Sequence, residues 1–343
     1  MVKCASILAL ATGISISFLS QARVEAQQAS LPTLVKTVTL PGYTGDFDHF
    51  AVDRTRHRIL LAAEDHSTLE VFDLETGDHL RTISGFDTPH SVLVRNCSKT
   101  ILVTDSGKSM SKLLDATTYV KDATVSLVPG ADSSAYDAEA NVVYIVTGGK
   151  DVDMATSELA AVNPDTGKKL GSVTFNDNHV EAMAIEKNGD RLFINLSQSN
   201  KIAVVNRKTM QVIEKWPVRP AEQNAMVAFD EPHHRLFVVC RKPGTVVVLN
   251  SDTGAVTNTQ PAPLRADDVL YDAASNRLYV PGGEGFMSIY DTSDPDHLKI
   301  SGKVTTADGA KTGLLLQDLK KLLLAVSPGD TKATAKVLTY QLP

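Results

Sequence analysis

The sequence predicts an all-β fold, a seven-bladed β-propeller with four antiparallel strands per blade, and three observations lead to it. A strand-like segment ending in a polar residue recurs seven times in the 343 residues, with spacings of 42, 42, 49, 44, 42 and 45. A second apolar strand begins five residues after each of these positions, or four in the last unit, and in six units a third strand ends in Asp or Asn. Four short strands in each unit of about 40–45 residues are the repeat of a propeller blade. The seven first strands end at Asp53, Arg95, Asp137, Glu186, Asp230, Asp272 and Gln317.

A tight turn and a shorter fourth strand follow the third strand. The turn contains Thr-Gly at 76–77, 166–167 and 253–254. There the preceding Asp or Asn can cap backbone N–H groups while glycine adopts a positive φ. Fourth strands are predicted at 79–83 and 169–173.

The seventh unit ends at Pro343 without a fourth strand, and residues 34–40 near the N-terminus resemble the missing one. We expect this strand to complete the seventh blade and to cover the edge that an incomplete blade would expose. Residues 314–326 could form a helix by propensity, but their register with the other six units favours two strands.

Residues 1–26 are predicted to be a secretory signal peptide. Lys3 precedes an apolar stretch at 5–19, and Val24 and Ala26 are small residues at the −3 and −1 positions of a cleavage site. The apolar stretch is too short to span a membrane. We therefore expect a secreted or periplasmic protein, a single propeller domain at 27–343 and a monomer, since a closed ring needs no partner.

Composition excludes several classes of protein. The chain is 43% hydrophobic and 22% charged, an ordinary globular profile rather than a disordered one. Its net charge of −6 and its 6% aromatic content argue against nucleic acid as a partner, which needs basic and stacking surfaces. No CxxC, HExxH, GxxxxGK[ST] or GxSxG motif is present.

The repeat resembles the YVTN-type propellers, in particular the YncE-like secreted proteins. The resemblance is carried by the Asn-Arg-Leu-Tyr-Val run at 276–280, by the related run at 235–239 and by the Thr-Gly turns, and it spans essentially residues 34–342. It implies a secreted seven-bladed disc whose relatives mostly lack a defined biochemical role, although some have been connected with DNA binding.

One face of the ring collects the loops before the first strands and those between second and third strands. Ligands usually bind at this face of a propeller, where polar side chains surround the mouth of the central channel. The polar residues of such a mouth often contact only solvent. This interpretation and a ligand-binding site both remain possible for the sequence. The predicted ligand-binding residues are Asp48, His49, His90, Asp132, Glu181, Asn224, Asp267, Asp268 and Lys311.

Imidazole and carboxylate groups together suit a divalent metal ion or proton transfer. No cofactor is certain, but a divalent metal on His49, His90, His179 and Asp267 is one expectation. The candidate catalytic residues are His90, His179 and Glu181.

Two functions compete. The first is a binding or scaffold module that holds a small molecule, a peptide or a glycan at the mouth. The second is a metal-assisted lactonase or lyase, in which the cation polarises a carbonyl group and a histidine moves a proton. The sequence leaves open whether the protein is an enzyme.

Overall fold

The computed structural model describes residues 31–107, 110–329 and 333–343. In this part of the chain 28 strands form seven four-stranded antiparallel sheets. The first strand of each sheet contacts the first strand of the next, and the last contacts the first, so the sheets form a closed ring. The predicted seven-bladed propeller is confirmed. The predicted signal peptide at 1–26 lies outside the described residues.

The strands of blades 1–4 follow one another along the chain. Blade 1 contains β2 (Phe50–Asp53), β3 (Arg58–Ala63), β4 (Thr68–Asp73) and β5 (His79–Ser84). Blade 2 contains β6 (Pro89–Val94), β7 (Thr100–Asp105), β8 (Ser111–Asp115) and β9 (Lys121–Val125). Blade 3 contains β10 (Ser134–Asp137), β11 (Val142–Gly148), β12 (Ser157–Val162) and β13 (Lys169–Phe175). Blade 4 contains β14 (Val180–Ile185), β15 (Arg191–Leu196), β16 (Lys201–Asn206) and β17 (Gln211–Pro217).

Blades 5–7 complete the ring, and the seventh takes a strand from the N-terminus. Blade 5 contains β18 (Glu222–Asp230), β19 (Arg235–Lys242), β20 (Gly244–Asn250) and β21 (Val256–Pro261). Blade 6 contains β22 (Leu270–Asp272), β23 (Arg277–Gly282), β24 (Glu284–Asp291) and β25 (Lys299–Asp308). Blade 7 contains β26 (Ala310–Leu316), β27 (Lys321–Val326), β28 (Ala335–Gln341) and β1 (Thr33–Leu40).

The core lies between the blades. Ile59 and Leu61 of β3 pack against blade 7, whereas Leu60 between them packs against blade 2. Successive side chains of a strand point to opposite faces, so a strand covered on both faces becomes a continuous apolar run. Each of the seven core clusters found in the described residues joins two neighbouring blades.

The turns between third and fourth strands have the expected chemistry. The carboxylate of Asp73 accepts hydrogen bonds from the N–H groups of Glu75 and Thr76, and Gly77 has a φ of 71°. Asn163 and Asn250 cap the equivalent turns of blades 3 and 5. These turns set the direction in which each outer strand returns.

The outermost strand of every blade carries a β-bulge near its start. In four of these strands the residue left out of the register is an exposed aliphatic one, namely Val35, Leu80, Leu170 and Ile213. A bulge twists an edge strand and interrupts its ladder, which opposes pairing with another molecule. The bulges therefore protect the seven outer edges.

Helix is confined, in the described residues, to three 3-10 turns at Lys150–Val152, Pro295–His297 and Gln317–Leu319. The last turn separates β26 from β27, which confirms two strands within 314–326. None of the helices in the described ranges is long and apolar enough to cross a membrane.

The ring closes through β1, as predicted. This strand pairs antiparallel with β28, from Thr33 opposite Gln341 to Leu40 opposite Ala335. Lys36 of β1 also forms an ion pair with Asp78 of blade 1, with 2.5 Å between Nζ and Oδ1.

Deletion of Thr33–Leu40 should lower the free energy of unfolding by at least about 3 kcal/mol, because Leu40 loses its buried position and β28 becomes an open edge. The control Lys36→Ala removes only the surface ion pair with Asp78 and the hydrogen bond to the Thr76 carbonyl oxygen, and it should change stability by less than about 1 kcal/mol. Urea denaturation measures both values. Equal stability of the deletion variant and the full chain would contradict the closure described here.

Candidate functional site

All seven blades contribute to one cavity at the mouth of the channel, with a volume of about 1260 Å³. Its wall combines carboxylates with imidazole, guanidinium and ammonium groups. A narrower space of about 310 Å³, lined by the first strands, continues along the axis and shares His49 with the mouth. The polar residues of the cavity wall used below are Asp46, Asp48, His49, Glu64, His90, Ser106, Asp132, His179, Glu181, Arg241, Asp267 and Lys311.

Three predicted site residues lie in β-bulges at the start of first strands. The pairing register shifts between Pro89 and Val92 of β6, and His90 lies in this gap. Glu181 of β14 and Lys311 of β26 lie in corresponding gaps. Bulges re-aim side chains and often occur beside functional sites. Here they direct these three residues toward the cavity.

His90 is held by two hydrogen bonds. Its Nδ1 lies 2.5 Å from Oδ2 of Asp48, and its Nε2 lies 2.9 Å from Oγ of Ser106. Nδ1 also lies 3.6 Å from Oδ1 of Asp132. Burial opposes the charged form of the imidazole, but Asp132, Asp48 and Glu64 outweigh it and raise the pKa of His90 to about 10. His90 is therefore an imidazolium at neutral pH.

The carboxylates around His90 differ in their pKa values. Burial raises the pKa of Glu64 to about 7, and repulsion from Asp48 adds to the effect. Burial likewise raises the pKa of Asp132 to about 6, although His90 opposes this. Burial also acts on Asp48, but the neighbouring His49 and His90 outweigh it and hold its pKa well below the usual range. The same neighbourhood raises the pKa of His49 to about 9, since Asp48 outweighs the effect of burial.

The opposite side of the cavity is a chain of polar contacts, most of them ion pairs. His179 Nε2 lies 2.6 Å from Oε1 of Glu181, which lies 3.4 Å from Nη1 of Arg241. The other guanidinium nitrogen of Arg241, Nη2, lies 2.5 Å from Oδ1 of Asp267. Lys311 Nζ lies 3.1 Å from Oδ2 of Asp267, and this chain ties blades 4, 5, 6 and 7 together.

Lys311 also contacts blade 1, with 2.8 Å between Nζ and Oδ2 of Asp46. Burial opposes its charge, but Asp267 and Asp46 outweigh burial and raise the pKa of its ammonium group. The cations on this side are thus neutralised by carboxylates of the protein itself.

Two predicted ligand-binding residues lie elsewhere. Asn224 is fully buried and donates hydrogen bonds to Asn195 Oδ1 (2.7 Å) and to the carbonyl oxygen of Lys201 (2.9 Å), so it joins blade 4 to blade 5. Asp268 faces the narrower channel, where its carboxylate accepts the N–H groups of Val269 and Gly313. Burial raises the pKa of Asp268 to about 6. The other seven predicted ligand-binding residues and His179 line the mouth.

The residues predicted as a metal site do not assemble as expected. Among the described residues, one group of His, Cys and acidic side chains offers ligand atoms within 4.8 Å of one another, and it consists of Asp48, Glu64 and His90. Thus His90 is not joined there by His49, His179 or Asp267. Because both ring nitrogens of His90 already have partners, a metal would have to displace Asp48 or Ser106.

Four of the twelve polar wall residues named above were not among the predicted site residues: Asp46, Glu64, Ser106 and Arg241. Glu64, Ser106 and Arg241 follow or end second strands, at the position where each blade sends a loop over the mouth. Because the repeat shows where each second strand ends, the sequence indicates that polar residues at this position lie near the mouth. The choice of Arg241 over other polar loop residues depends on contacts with Glu181 and Asp267 across two blade boundaries.

Comparison with known proteins supports the fold. No protein-family model matches the chain, and no curated protein matches it. Among solved structures, that of the WD40 repeats of RRP9 matches with a TM-score of 0.74 and 11% sequence identity, covering 91% of this chain and 100% of that one. The protein is therefore a seven-bladed β-propeller of the WD40-like fold, and at this identity the likeness concerns the fold alone.

Substitution Asn224→Ala should lower the free energy of unfolding by about 1–3 kcal/mol, because it leaves Asn195 Oδ1 and the Lys201 carbonyl buried without this donor. Urea denaturation measures the loss. Unchanged stability would show that Asn224 does not hold the two blades together.

The raised pKa of His90 makes stability depend on pH. A folded-state pKa of about 10 against an ordinary 6.5 gives stabilisation that is complete below 6.5 and is lost as the pH rises through 10. The unfolding free energy of the wild type should fall between pH 7 and pH 10.5 by about 4 kcal/mol more than that of His90→Gln. Parallel profiles for the two proteins, measured by urea denaturation, would contradict the assignment.

Proposed function

We propose that this protein is a secreted or periplasmic YncE-like propeller that acts as a monomeric binding module. Its ligand is a small polar molecule, or the end of a peptide or glycan, that carries a cationic group and enters the mouth cavity. The observation that carries the proposal is the cavity of about 1260 Å³ walled by charged side chains from all seven blades. A large concave site with convergent polar groups is the usual form of a ligand site.

The distribution of charge favours a cationic group on the His90 side. Arg241 and Lys311 are already paired with carboxylates of the protein. By contrast, Asp48, Glu64 and Asp132 all act on the imidazolium of His90, and Asp48 also pairs with the imidazolium of His49. Three carboxylates therefore face two imidazolium groups, which leaves one negative charge in excess when Glu64 and Asp132 are ionised. An amine or guanidinium beside Glu64 and Asp132 would neutralise this excess.

Membership of the YncE-like family and export rest on the sequence. The run at 276–280 and the Thr-Gly turns support the first, and the leader-like residues 1–26 support the second. Nucleic acid fits the acidic mouth poorly, because phosphate groups would face carboxylates.

The metal-assisted lactonase or lyase reaction has less support. His90 belongs to the group of residues close enough for a metal, but its two nitrogens are engaged and its raised pKa opposes the neutral form that binds metals. The divalent metal stays a prediction, and elemental analysis of the purified protein tests it.

Binding of agmatine, spermidine and glucosamine, each compared with a neutral analogue, tests the proposed function by isothermal titration calorimetry. At least one amine should bind, more tightly at pH 8 than at pH 5.5, because Glu64 and Asp132 ionise with pKa values of about 7 and 6. Glu64→Gln combined with Asp132→Asn should weaken that binding about tenfold, or ~1.4 kcal/mol.

The matched control is Asp308→Asn, which changes an acid at the cavity rim that is paired with Arg265. This substitution should leave amine affinity within a factor of about two. Equal affinity for the amines and their neutral analogues would refute the cationic specificity.

A further inference from the structure

Ser106, His90 and Asp48 form a hydrogen-bonded series inside the mouth cavity. Ser106 Oγ lies 2.9 Å from Nε2 of His90, and the other ring nitrogen, Nδ1, lies 2.5 Å from Asp48 Oδ2. This is the order of contacts between nucleophile, base and orienting carboxylate in acyl-transfer enzymes, and both contacts are of hydrogen-bonding length. Asp48 and His90 come from different blades, and Ser106 follows β7.

Hydrogen bonds hold the segment Asp105–Gly107, which carries Ser106. Asp105 accepts hydrogen bonds from the N–H groups of Asp87, Thr88 and Gly107, and the Ser106 N–H donates to the carbonyl oxygen of Thr88. A Cβ atom at position 107 would lie 2.2 Å from Cβ of Asp87, which is a steric clash. The turn therefore needs glycine at this position. Ser106 itself is partly exposed and lines the cavity, where a ligand can reach it.

We infer that Ser106 is the nucleophile, His90 the general base and Asp48 the positioning residue of an acyl-transfer site that hydrolyses small carboxylic esters. Oγ of Ser106 forms a bond to the ester carbonyl carbon, and its proton passes to Nε2 of His90. The carbon–oxygen bond to the alcohol then breaks, and the alcohol leaves with that proton. Water attacks the acyl-serine, returns a proton through His90 to Oγ and releases the carboxylic acid.

The same geometry makes the site slow at neutral pH. His90 can accept the serine proton only when Nε2 is unprotonated. The charged groups that face it are three carboxylates, Asp48, Glu64 and Asp132, and His49 lies on the far side of Asp48. The three carboxylates favour the imidazolium and therefore hold the base inactive until alkaline pH. The Gly107 N–H, which could have bound an oxyanion, is committed to Asp105. Without that donor the developing negative charge is less well stabilised, so modest rates are expected.

A fluorophosphonate probe tests the nucleophile without any cationic group on the reagent, and so independently of the proposed ligand. Oγ attacks phosphorus, fluoride leaves, and His90 accepts the serine proton. Peptide mass spectrometry should place the adduct on Ser106, and the labelling rate should rise at least about tenfold from pH 7.5 to pH 10. Ser106→Ala should abolish labelling, whereas Ser133→Ala, at a serine of the same wall in the next blade, should leave it unchanged.

The pH profile separates a base from a merely structural histidine. Asp132→Asn removes one of the carboxylates that charge His90, so the midpoint of the labelling profile should move down by about one pH unit. His90→Gln should lower the rate at pH 10 at least tenfold and flatten the profile. Asp48→Asn should also lower the rate at pH 10 at least tenfold, because the ring loses its positioning partner, and should move the midpoint down, because Asp48 is one of the carboxylates that charge His90. Part of the rate should return in Asp48→Glu.

Hydrolysis of phenyl acetate by the full-length protein gives the second readout, with a rate that should follow the same profile and vanish in Ser106→Ala. The inference is overturned by an adduct on another residue, by labelling of Ser106 that does not depend on His90, or by no labelling up to pH 10. Failure of all amines to bind, with Ser106 still labelled, would remove the proposed ligand and keep this site.

Discussion

Closure of the ring by β1 against β28 is the constraint on which the rest of the structure depends. Each blade buries its apolar faces against its two neighbours, so an open ring would leave two faces and one edge exposed to water. The mouth depends on the same closure. Lys311 of blade 7 contacts Asp46 just before blade 1, and this contact exists only if the first and last blades are adjacent.

The chemistry of the mouth follows from an unequal pairing of charges. On one side, guanidinium and ammonium groups are matched by Glu181, Asp267 and Asp46. On the other side, several carboxylates share the imidazolium of His90. The excess of negative charge around His90 thus accounts for two properties. It attracts cationic groups, and it keeps His90 protonated and inactive as a base at neutral pH. A ligand that neutralised this side would lower the pKa of His90 and so release the base beside Ser106.

The fold could be predicted from the sequence because the blade repeat depends on local features: apolar runs of fixed spacing, Asp or Asn before Thr-Gly, and an unmatched strand at 34–40. The location of most mouth residues followed from the repeat. Their pairing did not, because it depends on bulges that rotate His90, Glu181 and Lys311, and a bulge has no clear local signal. Asn224 shows where prediction from the repeat fails. It occupies a position equivalent to the mouth residues, but its side chain donates a hydrogen bond to buried Asn195 instead of lining the mouth. Ser106 became significant only when its distance from His90 was known.

The protonation state of His90 tests the central claim most directly, because both the attraction for cations and the silent base depend on it. Nitrogen-15 NMR of histidine-labelled protein reports whether each ring nitrogen carries a proton. We expect an imidazolium at pH 7 that loses its proton with a midpoint near 10, and a lower midpoint in Asp132→Asn. A neutral ring at pH 7 with a midpoint near 6.5 would contradict it, since the carboxylates of the mouth would then not act on His90.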